Sequence, residues 1–196
     1  CIGVGMCRQY FGGKSYDDAV TKAASVLAYA GPELVLDEKL AKNTADIKAI
    51  LGDTELPAHT LMAFKHVLTT PREDRDGDIL ETAGAQVDVN MPFLWQHVHT
   101  LPLGKMVKVI EHSPEVLKLA TVLLDLNELT EDTAKLIEAK ALRFSHGFRA
   151  LEFSERDKAG GAGFRVKSYE IMEESGVSVP SNIDAEIELF SRKKLK

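Results

Sequence analysis

The pattern of apolar residues changes character near Pro57. Before it, Val20, Ala23, Ala24 and Leu27 recur at helical spacing behind Ser15, which forms a capping-box pattern with Asp18, and Gly31-Pro32 stops the run. A second helical run, "LDEKLAKNTADIKAIL", ends at Gly52. Residues 1–56 therefore read as an N-terminal helical extension without chemistry of its own. After Pro57 the period falls to two. "HTLMAFKHVLTTP" places Met62, Phe64, His66 and Leu68 on one strand face, and "REDRDGDI" is a charged turn around Asp76-Gly77. "AQVDVN", "PFLWQHV", "GKMVKVIEH" and "VLKLATVLL" are short strands separated by turn chemistry at Asn90-Met91-Pro92, Pro102 and Ser113-Pro114. "LTEDTAKLIEAKAL" is one helix, with Thr130 as N-cap and Ala134, Ile137 and Ala141 on its buried side. Two more strands, "RFSHGFRALEF" and "FRVKSYEIMEESGVSV", flank the glycine-rich "KAGGAG". The pattern predicts an α+β chain, a mostly antiparallel β-barrel surrounded by helices over residues 57–190, followed by a basic tail at 191–196.

Composition narrows the class. A chain of 196 residues, 44% hydrophobic and 28% charged, suits one globular domain with an appendage. No run reaches the roughly 20 apolar residues of a membrane helix, so no membrane partner is expected. The net charge of −6 argues against a nucleic-acid partner, although "SRKKLK" is locally basic. The only cysteines are Cys1 and Cys7, so no disulfide framework or zinc cluster is available, which suits a reducing cytoplasm. No charged start with an apolar stretch and cleavage site marks secretion.

The chemistry concentrates in three places. In "FLWQHVHTLPLGK", His97 and His99 share a face if the strand runs through both, which would suit a metal site, a base with a helper, or two exposed histidines near a strand end. Ser145 in "FSHGF" lies between two phenylalanines and near Gly147, which permits close backbone approach. Glu173, Ser175 and Val177 share one strand face, and an acid facing inward needs a partner; an exposed Glu173 or Glu174 is the alternative. Asp74, Asp76 and Asp78 do not make an EF-hand loop, because Ile79 and Ala85 occupy the positions that require glycine and an acid. A metal-dependent hydrolase using His97, His99 and a carboxylate lacks a third ligand at fixed spacing, so no metal or other cofactor is expected.

The ordered set "DRDGDIL", "PFLWQHVHTLPLGK", "RFSHGF" and "EESGVSVPSN" resembles the prohead proteases of tailed bacteriophages, the capsid maturation proteases. The resemblance covers about residues 60 to 185, with Gly176 where the family usually has a bulky apolar residue and Ser181 where alanine is common. It implies a fold like that of the herpesvirus assembly proteases and a serine-type endopeptidase. By position it makes Ser145 the nucleophile, His97 the general base and Glu173 the acid that orients the base. His99 is the rival third member, because the herpesvirus relatives use a second histidine. Backbone amides near Gly147 and Phe148 are the candidate oxyanion donors. The implied substrate is the scaffold protein or the scaffolding segment of the major capsid protein, inside the immature capsid in the host cytoplasm, together with the protease itself. Self-association is compatible with this setting, and so is a catalytically inactive assembly module with the same barrel.

The start without methionine and the end at Lys196 fit either self-cleavage of a longer precursor or ordinary boundaries. Terminal masses of the longest precursor, made with and without Ser145→Ala, separate the two. Ends that need an intact Ser145 are the expected result of self-processing, and ends present in both samples exclude it.

Overall fold

A computed structural model describes residues 49–156 and 163–192. The helical readings of residues 15–48, most of the glycine-rich connection and residues 193–196 lie outside the described residues. The elements are β1 (Thr60–Thr69), β2 (Ile79–Leu80), β3 (Ala85–Val87), β4 (Pro92–Trp95), β5 (Pro102–His112), β6 (Leu117–Leu124), α1 (Glu128–Glu138), β7 (Arg143–Arg156), β8 (Gly163–Val177) and β9 (Ile187–Arg192), with a 3-10 turn at Thr82–Gly84. They form one mixed sheet. From one edge it runs β7, β8, then β4, β5, β6, β1 and β9, while β2 and β3 also lie against β8.

The long strand β8 organises the sheet. Along one side it takes three short strands in parallel, pairing Ile79 with Arg165, Ala85 with Tyr169 and Phe93 with Glu174. Along the other it pairs antiparallel with β7 from Arg143↔Val177 to Arg156↔Gly163. The charged turn before β2 thus leads away from β1 rather than back onto it. Asp74 shapes this turn, its Oδ1 accepting from the amides of Asp76 and Asp78 at 2.9 Å each, while Asp78 accepts from the Phe164 amide at 2.8 Å and anchors the turn to β8.

The sheet is open, which corrects the expectation of a β-barrel. No ladder joins β7 to β9. The segment between β8 and β9 contributes isolated bonds instead: Phe144 N–H donates to the Ala185 carbonyl at 3.3 Å and Val67 N–H to the Glu186 carbonyl at 3.0 Å. Its sequence explains why. Pro180 has no N–H to give, and Asn182 bonds through its side chain to the Thr70 carbonyl at 2.8 Å instead of pairing as a strand. Nor is the sheet surrounded by helices among the described residues, where α1 is the one long helix. Its N-cap is Asn127, with Thr130 three places on closing a capping box, so the helix begins before the predicted cap. It ends before the left-handed Lys140 (φ 55°), which leaves Ala141 exposed rather than on the buried side.

The predicted inward face of β1 is buried throughout, at Met62, Phe64, His66 and Leu68. Phe64 packs on Phe93 and Phe144 with ring centroids 5.4 and 5.5 Å apart, and His66 stacks on Phe144 at 4.0 Å. A buried polar network sits within this apolar layer. Glu174 receives the His66 Nε2 at 3.0 Å on one oxygen and the Thr121 hydroxyl at 2.5 Å on the other, and all three residues are fully buried. Burial of a carboxylate is tolerated only with such partners. Beside it, His146 lies over Phe148 and Tyr169 at 5.7 and 6.1 Å, with its Nε2 buried and unpartnered.

Two stability measurements follow from this layer. Glu174→Ala strands the His66 and Thr121 donors and is expected to cost about 3–5 kcal/mol, whereas His66→Phe combined with Glu174→Leu removes both partners and costs less than Glu174→Ala alone. Urea unfolding of the three proteins checks this; a double variant less stable than Glu174→Ala would refute it. His146 supplies the second. Burial pulls its pKa from 6.5 down to about 4, with the Glu173 charge opposing and the His97 charge adding. An unfolded-chain histidine takes up a proton near pH 6.5, so between there and about pH 4 the unfolded state binds more protons and stability falls on acidification. His146→Phe should flatten the decline of the urea midpoint across that window, and an unchanged slope would show that His146 does not cause it.

Candidate active site

The histidine pair of the opening motif is not on a strand. β4 stops at Trp95, and the next two residues both take left-handed backbone, Gln96 at φ 51° and His97 at φ 60°. Gln96 N–H still bonds the Gly176 carbonyl at 3.1 Å, after which Val98 N–H closes onto Trp95 O at 2.9 Å and the chain turns. Strand alternation therefore no longer relates His97 to His99. His97 turns toward β8, while His99 is exposed and its side chain makes no hydrogen bond or ion pair with the described residues. The condition for the two rings to share a face, a strand running through both, is not met.

What meets His97 is Glu173. The imidazole Nδ1 lies 2.7 Å from Glu173 Oε1, and the other carboxylate oxygen accepts the Ser175 hydroxyl at 2.6 Å. Ser175 Oγ in turn accepts the His97 backbone N–H at 3.1 Å. Glu173 and Ser175 are two apart on β8 and share a face. Burial pushes the Glu173 carboxyl up, but hydrogen bonding and charge from His97, then the Ser175 bond and the charge of His146, outweigh it and leave the group below the usual carboxylate value. The His97 side chain keeps 33% of its surface exposed against 5% for Glu173, so an incoming molecule can reach the ring while the acid behind it stays dry.

Ser145 enters from the neighbouring strand. It pairs directly with Ser175, and Gly147 pairs directly with Glu173, so Ser145, Gly147, Glu173 and Ser175 occupy one face of the β7–β8 ladder. Gly147 is needed there for space: a Cβ on it would lie 2.5 Å from Glu173 Oε1, the oxygen that faces His97. Phe148 projects to the opposite face, where its ring meets Tyr169 edge-on at 5.4 Å. Gly176, the departure from the resembled motif, sits where an added Cβ would come within 3.1 Å of Phe93, so that phenylalanine fills the space.

Sequence reasoning brought His97 and Glu173 forward, and the fold joins them. It left Glu173 and Glu174 unresolved; alternation sends the first to His97 and the second to His66 in the core. It gave no role to Ser175, which it noted only as sharing a strand face with Glu173 and as part of the "EESGVSVPSN" motif. No group of three or more His, Cys, Asp or Glu side chains suited to a metal occurs among the described residues. The Asp74–Asp78 oxygens are committed to the turn, and Asp76 also accepts the Ser181 hydroxyl at 2.8 Å.

Among known proteins, the capsid polyprotein of Pseudomonas phage PAJU2 is 34% identical over 153 residues, which is 75% of this chain and 22% of that protein. The chain thus spans about a fifth of the length of this relative. No solved structure matches. The family described as caudovirus prohead serine protease matches residues 64–196, a span that contains His97, Ser145, Glu173 and the whole β7–β8 ladder. The chain belongs to the caudovirus prohead serine protease family.

Proposed function

We propose that the chain is a serine endopeptidase that cuts the scaffold protein, or the scaffolding segment of the capsid protein, and itself during procapsid maturation. The observation that carries this reading is the 2.7 Å contact of His97 Nδ1 with a buried Glu173, in a site faced by Ser145. A carboxylate is an acceptor only, so the Nδ1 proton points at Glu173 and Nε2 is left as the free base. In that tautomer Nε2 takes the Ser145 proton as Oγ attacks the scissile carbonyl. The imidazolium that forms is stabilised by Glu173, and it returns the proton to the leaving amine. Water then hydrolyses the acyl-enzyme by the same exchange of protons. Backbone amides at Gly147 and Phe148 are the donors we assign to the oxyanion. The capsid polyprotein relative supports a capsid-protein substrate, and the family supports a place inside the immature capsid in the host cytoplasm. His99, exposed and away from Glu173, has no part in this scheme.

Ser145→Ala is expected to abolish cleavage and labelling by a serine-directed phosphonate while leaving the unfolding midpoint nearly unchanged; near wild-type cleavage would sink the assignment. His97→Ala should lose several orders of magnitude in kcat, and Glu173→Gln roughly 10²- to 10⁴-fold. His99→Ala should stay close to wild type, and a larger loss there than in Glu173→Gln would transfer the third role to His99. Gly147→Ala should cut kcat by pushing Glu173 Oε1 away from the ring, in a protein that still folds; full activity in that variant would show that the carboxylate has another place to sit.

A further inference from the structure

We infer that Ser175 is a positioning residue that holds His97 and Glu173 in register with each other, an inference that rests on the protease reading above. Its hydroxyl has one proton to donate and lone pairs to accept. The proton goes to Glu173 Oε2 at 2.6 Å, and the oxygen accepts the backbone N–H of His97 at 3.1 Å. The His97 ring closes the circuit on Glu173 Oε1 at 2.7 Å. The base is therefore held twice, through its ring by one carboxylate oxygen and through its backbone by the serine bound to the other.

Both halves of the circuit need this. A glutamate carboxylate turns freely about its last torsion, so a single bond to the imidazole does not fix its plane; a second bond on the far oxygen does. His97 lies in left-handed backbone directly after another left-handed residue, a conformation that persists only where surrounding bonds enforce it. The Ser175 hydroxyl supplies one such bond, to an amide that the turn leaves without a ladder partner. Ser175 is fully buried, and its proton is already committed to Glu173. It is thus unsuited to be a second nucleophile, although it pairs directly across the ladder with Ser145. The neighbouring Gly147 works toward the same end by leaving room for Oε1, but only Ser175 touches both partners.

The test uses the full chain with Ser175→Ala and the near-isosteric Ser175→Cys, whose thiol is a poor donor that keeps the packing. In each protein kcat and KM are measured on a cleavable scaffold-derived peptide, and the low-field proton of the His97 Nδ1–H···Glu173 bond is followed by NMR. Both variants are expected to lose roughly 10- to 100-fold in kcat, the scale of a small misplacement of a catalytic group. KM should stay within about threefold and the low-field proton should weaken or vanish, while the amide spectrum stays native. A wild-type kcat and an intact low-field proton in either variant would overturn the inference. Should the wild type cleave no peptide and resist phosphonate labelling, the protease reading fails, yet loss of the low-field proton in the variants would still support the role of Ser175 in holding His97.

Discussion

Two adjacent carboxylates on β8 face opposite ways, and each holds a histidine. Strand alternation sends Glu173 to one face, where it meets His97, and Glu174 to the other, where it meets His66 and Thr121 in the core. The two pairs need each other structurally. Glu174 and His66 tie β8 to β1, the His66 ring stacks on Phe144, and the residue after Phe144 is Ser145. A buried carboxylate that must find its partners is intolerant of a register slip, because a shift by one residue would exchange the faces of Glu173 and Glu174 and give each the wrong neighbours. The inner pair therefore specifies the register in which the outer one can work.

That register is carried by the long β7–β8 ladder. It places Ser145 opposite Ser175 and Gly147 opposite Glu173, so the face that bears the serine also bears the acid and the residue that steers it. His97 comes from elsewhere, brought by the short parallel strand β4, which lies along the other side of β8 and pairs Phe93 with Glu174 and Trp95 with Gly176. Ending β4 at Trp95 and reversing the chain through two left-handed residues turns the imidazole back over β8. A longer strand would have carried His97 past Glu173. Among the described residues no further strand pairs with β7 on the side away from β8.

Membership of the prohead protease family and a histidine held by a dry carboxylate rest on separate evidence. The family match is a statement about sequence over residues 64–196. The His97–Glu173–Ser175 circuit is a statement about distances. They meet at His97 and Glu173, which lie inside the matched span and touch each other. His99 is exposed, whereas the carboxylate that meets His97 is buried and holds a second hydrogen bond, from Ser175.

By itself the sequence determined the local matters. The period of two after Pro57, the inward row Met62, Phe64, His66 and Leu68, the helix near residues 128–138 and the strand pair flanking the glycine-rich segment were all legible, because each depends on side chains a few positions apart. The short motifs also singled out Ser145, His97 and Glu173. What only the tertiary structure decided are relations between distant segments. Glu173 was separated from Glu174 by which face met a histidine 76 residues away in one case and 108 in the other. Whether His97 and His99 share a face was decided by two left-handed residues that end the strand early, and no pattern of apolar residues encodes a positive φ at glutamine and histidine. The expected barrel does not close because the segment between β8 and β9 makes its bonds through Asn182 and single amides instead of a ladder. Ser175 became visible as a contact of both His97 and Glu173 only when the chain that separates them had folded.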